Sequence, residues 1–310
     1  MLGRIVDIEG EGRKLSVERG FLLVKGPDCT LGRIPLDDIE TVILSHPAVG
    51  LTSKAITALT SRGAPIVICG DDFKPAACVL PLDGHFEQGN RVEAQASASL
   101  PTCKRLWAQI VSAKVLAQAA ALDQVGALSN PVRVLAARVR SGDPQNVEAQ
   151  AAQRYFPALF GKNFVRGGGE GAVNAMLNYG YTVLRAATAR AVVGAGLHPS
   201  LALMHRSRGE ALRLADDLME PFRPAVDLIV HGLHAGGQKE MSREAKLALV
   251  RVLHADYVTA EGRTPLSNVL FRLSVSLAQV FTGERRALAL PISPVPLPAV
   301  ETPPSGDDLE

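Results

Sequence analysis

The sequence predicts an α+β protein, with an N-terminal β-sheet domain of β-sandwich-like pattern followed by a larger all-α domain. Three observations carry this. Over the first 80 or so residues, short apolar runs alternate with glycine and proline turn signals. From about Arg91 the apolar spacing changes to a helical period. At 310 residues, with 47% hydrophobic and 21% charged residues, the chain can bury a full core, two domains are a fair expectation, and the composition is that of a globular protein.

In the N-terminal part the strands are expected at Arg4–Ile8, Leu15–Lys25, Cys29–Ile34, Thr41–Leu44, Pro65–Cys69 and Ala77–Leu80. Gly10, Gly12, Gly20, Gly26-Pro27 and Gly70 punctuate them. One helix interrupts, from Thr52 to about Ser61, with Thr52 or Ser53 as its cap. A linker is expected over residues 81–92, around Pro81, Gly84 and Gly89, which separates a β domain at 1–80 from a helical domain at 93–285.

The long helix begins near Leu100, with apolar positions at Leu106, Ile110, Val111, Val115 and Leu122. Further helices are expected at 130–140, 146–158, 171–195, 210–220, 225–234, 242–257 and 264–281. After Thr282 proline recurs at short intervals and the chain ends in acid, so 286–310 is read as a disordered or extended tail.

The N-terminus carries charges where a secretion signal needs an apolar run, and no apolar stretch is long enough to span a bilayer. A cytoplasmic protein with no membrane partner is expected. Cys29, Cys69, Cys78 and Cys103 form no CxxC pair, which argues against zinc and against a disulfide framework. The net charge of +2 conceals an asymmetry: residues 1–90 hold 9 bases against 12 acids, whereas 91–300 hold 24 against 15. A basic body behind an acidic N-terminal third suits a protein that grips a polyanion with one domain and associates through the other.

The chemistry concentrates in HRSRGEALRLADDLMEPFRP, which starts at His205. Asp217 and Glu220 are spaced to share one helix face, and Leu212, Leu214, Leu218 and Met219 supply an apolar face beside them. Carboxylates that close repel each other near apolar surface unless a cation sits between them. A divalent metal answers this; a solvated helix face closed by Pro221 and Pro224 is the alternative. In NVEAQAAQRYF, Asn146 can cap a helix and Glu148 is the sole acid, flanked by small alanines. Glu148, His205 and Glu220 make a carboxylate–imidazole–carboxylate set, with Asp217 beside it and His198 as a further supporting group. Arg154, Lys162, Arg166, Arg206, Arg208 and Arg223 are the nearby bases and the natural phosphate contacts. Tyr155, Phe156, Tyr179, Tyr181 and Trp107 read as core.

Four ordered segments carry a resemblance: LWAQIVSAKVLAQAAAL from Leu106, VEAQAAQRYF from Val147, the run from Val173 to His205, and LADDLMEPFRPAVD from Leu214. Together they resemble the CRISPR-associated integrase/endonuclease family, the large catalytic subunit of the spacer-acquisition complex, in its type II-like form. The resemblance implies that Glu148, His205 and Glu220 bind Mg²⁺ or Mn²⁺ and are catalytic, with Asp217 behind them or on a second metal. It implies insertion of short foreign DNA into a CRISPR array by 3′-OH transesterification. The implied partners are double-stranded DNA (prespacer and repeat), a second copy of the chain, a small ferredoxin-fold subunit that completes a hetero-hexamer, and the RNA-guided effector nuclease. A metal-dependent nuclease acting on branched or repair DNA, and a non-catalytic DNA-binding scaffold, are the rival readings.

Overall fold

The structure is a computed structural model and describes residues 4–70, 75–167, 171–204 and 211–298. The N-terminal part runs β1 (Arg4–Ile8), β2 (Lys14–Glu18), β3 (Phe21–Lys25), β4 (Thr30–Pro35), β5 (Ile39–Leu44), β6 (Gly50–Leu51), α1 (Ser53–Thr60), β7 (Ile66–Cys69) and β8 (Pro75–Val79). These strands build two four-stranded sheets, ordered β1-β5-β7-β8 and β4-β3-β2-β6. The apolar run expected over Leu15–Lys25 is a hairpin. Arg19 and Gly20 both take positive φ (48° and 80°), the two-residue turn whose twist matches its strands. Thr52 caps α1 by accepting the Ala55 N–H at 3.2 Å.

Every residue of β5 is buried, and its alternation shows why. Val42 and Leu44 face Leu15 and Leu22 of the second sheet, inside the sandwich core. Ile43 points the other way and joins Val67 and Cys69 in the core of the helical domain. A sheet covered on both faces buries both sides of its central strand, apolar from Val42 to Leu44 with Glu40 paired to Arg190, and β5 pairs in parallel with both β1 and β7.

The remainder runs α2 (Gln88–Ala96), α3 (Leu100–Gln124), α4 (Asn130–Arg133), α5 (Val147–Phe160), α6 (Ala172–Gly194), α7 (Arg213–Met219), α8 (Arg223–Ala235), α9 (Arg243–Val250), β9 (Asp256–Thr259), β10 (Gly262–Pro265) and α10 (Leu266–Phe281). Helix α6 is buried on nearly every side. Gly180 lets α8 press against it, since a Cβ there would strike the Val226 side chain. Polar side chains join the two domains. The Tyr179 hydroxyl donates to Asp7 Oδ2 at 2.7 Å, Lys246 reaches Glu9 at 2.7 Å, and Arg190 reaches the buried Glu40 at 3.2 Å. Burial pushes the Asp7 and Glu40 carboxyls above their ordinary pKa.

Two expectations need correction, and a third is narrowed. The helix expected over 242–257 stops at Val250, and a β9–β10 hairpin follows. Its β-branched and aromatic residues Tyr257, Val258 and Thr259 favour a strand, and Gly262 (φ 109°) turns it. The linker of 81–92 is already helical from Gln88. Of the two readings of the tail from 286, disordered or extended, the extended one describes the chain as far as the described residues run, to 298. Ile292 N–H bonds Val258 O at 2.7 Å and Leu297 N–H bonds Asp256 O at 2.8 Å, while Leu288 and Val295 are buried. Proline forbids a helix there but permits an extended strap, and the N–H groups between the prolines find β9.

Candidate active site

Glu148 is held by the start of α5. Asp143 accepts the N–H groups of Val147 and Glu148 at 2.9 and 3.0 Å, and Asn146 accepts that of Ala149 at 3.4 Å. Asn146 does so from the left-handed region (φ 50°), which asparagine tolerates better than most residues. With three N–H groups satisfied and Val147 buried beneath, the first turn that carries Glu148 has a fixed place.

Glu220 sits where α7 tightens into a single 3-10 turn, Glu220–Phe222, before α8. Pro221 and Pro224 shape that turn, and Phe222 anchors it edge-on against Tyr257 with ring centroids 5.8 Å apart. Glu220 is only 3% exposed, so the solvated-face alternative fails.

The two carboxylates meet at a residue that the sequence pattern does not single out. Lys114, on the buried face of α3, places Nζ 2.6 Å from Glu148 Oε1 and 2.5 Å from Glu220 Oε2. The other Glu220 oxygen takes Arg223 at 3.0 Å. Burial opposes the Lys114 charge, but Glu220 and Glu148 outweigh it and hold the ammonium above the ordinary lysine pKa. Arg223 is balanced in the same way, chiefly by Glu220.

Asp217 points elsewhere. Fully buried, its Oδ2 accepts the N–H groups of Leu203 and Met204 at 2.6 and 3.2 Å. Its carboxylate is therefore turned to the 203–204 backbone and not to the Lys114 ammonium that Glu220 reaches. Its bonds tie the backbone just before His205 to the helix just before Glu220. Gln95 secures the same stretch by donating to His198 O and Leu201 O at 3.0 and 2.8 Å, and Ser200 Oγ donates to Ala211 O at 2.6 Å. His205 itself, with Arg206 and Arg208, lies outside the described residues. His198 bonds within its own turn, Nδ1 accepting from Ser200 N–H at 3.2 Å.

The remaining arginines divide. Arg154 is exposed and bonds Pro131 O at 2.8 Å. Arg166 is pinned by Asn174 and Asn178 at 3.0 and 2.9 Å. Arg223, expected on DNA, is mostly buried, paired with Glu220 and 4.7 Å from the Tyr181 ring. Such an arginine orients a carboxylate, because its charge is already spent. Behind it Asp227 accepts from Tyr155 and Tyr181 hydroxyls at 2.9 and 2.5 Å, and burial pushes its pKa up to about 6. These tyrosines are core residues, as their pattern suggested, whose polar ends serve a buried acid.

Residues 6–248 match the family model for CRISPR associated protein Cas1. The chain belongs to the Cas1 family. Among curated Cas1 proteins, the CRISPR-associated endonuclease Cas1 of Neisseria meningitidis serogroup C (strain 8013) is 41% identical over 249 residues, covering 78% of this chain and 81% of that one. A casposase bound to integration product has a like fold, with a TM-score of 0.81 at 20% identity over 97% of this chain and 96% of that one. So has a Cas6-RT-Cas1–Cas2 complex, at 0.73 and 18% over 93% of this chain and 36% of that one.

The donor set of this Cas1 chain fits a divalent cation in part on direct geometry. Two carboxylates from separate helices converge on one cationic point, and hard oxygen donors suit Mg²⁺ or Mn²⁺. No group of three metal-binding side chains gathers among the described residues. The third donor of the expected set is His205, next to the anchored Met204.

Proposed function

We propose that this chain is a CRISPR-associated DNA integrase and endonuclease that inserts short duplexes into a repeat array by 3′-OH transesterification. The observation that carries it is the convergence of Glu148 and Glu220 on one cation-sized position, in a member of the Cas1 family. Mg²⁺ or Mn²⁺, held by Glu148, Glu220 and His205, would neutralise charge on the target phosphate and orient the attacking oxygen. Arg223 and the Asp143–Asn146 cap keep the two carboxylates in place. Asp217 and Gln95 fix the backbone over 198–204, which precedes His205 in sequence. The exposed bases near α5 would follow the DNA backbone.

As partners we propose a second copy of the chain through the β domain, and a small ferredoxin-fold subunit, the pairing that the Cas1–Cas2 complex of like fold supports. The RNA-guided effector nuclease is a further proposed partner. No helix among the described residues is long and apolar enough to cross a membrane.

The test separates integrase from nuclease. With its small partner, the protein should join a duplex carrying 3′-OH ends to a repeat-containing plasmid, and the same duplex with dideoxy ends should give no joined product. Plasmid nicking that ignores the donor's 3′ group, with no covalent donor–target product, would reject the integrase reading.

A further inference from the structure

Lys114 occupies the point at which the two proposed metal ligands meet. Its Nζ lies 2.6 Å from Glu148 Oε1 and 2.5 Å from Glu220 Oε2. An ammonium and a divalent ion ask for the same thing here: converging carboxylate oxygens, out of water. They cannot both have it. A divalent ion held by Glu148 and Glu220 would compete with the ammonium for the same carboxylate oxygens. Two positive centres so close repel strongly in a site shielded from solvent.

The residue is also costly to explain as packing. A lysine stands on the buried stripe of α3 with Ile110, Val111, Val115 and Gln118, where an apolar side chain would fill the space without a charge. What it provides is one cation shared by the two facing carboxylates. Arg223 neutralises the far oxygen of Glu220 and does not touch Glu148 in the bonds described.

We propose that Lys114 is an internal counter-cation that holds the metal's place between Glu148 and Glu220, and that it must leave that place for the metal to enter. The metal-free site is then assembled in advance, and metal affinity is set by an exchange of one cation for another. This rests on the metal reading of the site given above.

Two measurements on the full chain test it. The first is calorimetric titration with Mn²⁺ alone. Lys114→Met removes the competing charge at similar volume, so it should bind Mn²⁺ tighter than wild type by on the order of ten-fold or more. Equal or weaker binding overturns the proposal. The second uses the wild-type chain and so does not depend on how the variant folds. Amines are acetylated briefly with and without Mn²⁺ and quantified by peptide mass spectrometry. Labelling of Lys114 should rise at least about three-fold with metal, while Lys246, equally buried and paired with Glu9, should not change. Lys114 labelling that ignores metal overturns the proposal. Absence of Mn²⁺ binding to either protein would reject the metal reading itself, and this inference with it.

Discussion

Lys114 Nζ and Glu220 Oε2 stand 2.5 Å apart in a part of the protein almost closed to water. Glu220 pairs with Arg223 as well, and its side chain is 4% exposed against 23% for Glu148, which shares only the lysine among these pairs. The two acids therefore differ as structural elements even where their chemistry is shared. In metal-free buffer Glu220→Ala should lower stability by about 3–5 kcal/mol, because two buried cations lose a partner. Glu148→Ala should cost clearly less. Both should abolish DNA joining. Thermal melts and a joining assay check this, and equal destabilisation by the two substitutions would contradict it.

Gly180 makes a sharper steric prediction. A Cβ there meets Val226 and Leu249, both fully buried and with little room to move. Gly180→Ala gains helix propensity but forces α6 and α8 apart, and overpacking outweighs propensity. A net loss of about 1–3 kcal/mol in urea unfolding is expected, with joining activity retained below the melting temperature.

Much of the fold was legible because period and turn chemistry are local. The glycine at 20, the Thr52 cap and the long apolar stripe of α3 all announce themselves within a few residues, although the pattern alone reads the hairpin that Gly20 turns as one run. What was missed is long-range. Asp217 and Glu220 look like a pair at helical spacing, but one bonds a backbone 14 residues away and the other bonds Lys114 of α3. Lys114 did leave a signal, a charge four residues after Ile110 and three after Val111 on a mainly apolar face that also carries Gln118. Its partners, Glu148 and Glu220, are named by the fold alone. Composition leaves the strap over 287–298 open between disordered and extended, because it reports what proline forbids, whereas β9 supplies the bonds that order it.

Asp227 predicts a pH dependence. Its pKa is about 6 in the folded protein against 3.8 as an ordinary group, because it is buried. Between those values the native state holds more protons than the unfolded one. The stability this group contributes is therefore complete below about pH 4 and is lost as pH rises through 6. Asp227→Asn cannot titrate. The stability of wild type minus that of the variant should fall from pH 4 to pH 6.5 by up to about 3 kcal/mol, then level off. A difference that rises with pH would refute the assignment.

The strap predicts the outcome of truncation. Composition alone suggests that cutting at residue 286 is harmless. The structure gives this stretch backbone bonds to β9, a bond from Leu288 N–H to Gln109 at 3.0 Å, and two buried apolar side chains. Removal exposes apolar surface on α3 and strands the donors and acceptors of β9. A chain ending at residue 286 should melt several degrees lower. A chain ending at 298 should keep the wild-type melting temperature within about a degree if only the described part contributes.

The last prediction concerns where DNA runs. Arg223 is already paired with Glu220, and Arg166 is held by two neutral asparagines. The fold supplies other bases. The loop that leads into α5 carries Arg138 and Arg140, both exposed, and its Gly142 lies against α3, bonding the carbonyl of exposed Lys104 at 2.9 Å. The same segment supplies Asp143, which caps the turn that carries Glu148. Exposed cations neutralise phosphate and release counterions, and they carry no sequence information. Replacing Arg138 and Arg140 together by Gln should weaken duplex binding about equally for every sequence tested. The slope of log affinity against log salt should become shallower by about 0.9 for each phosphate no longer neutralised, near 1.8 for the pair. The melting temperature should stay within about a degree, since neither side chain is buried. An unchanged salt slope would place the DNA on another face of the helical domain.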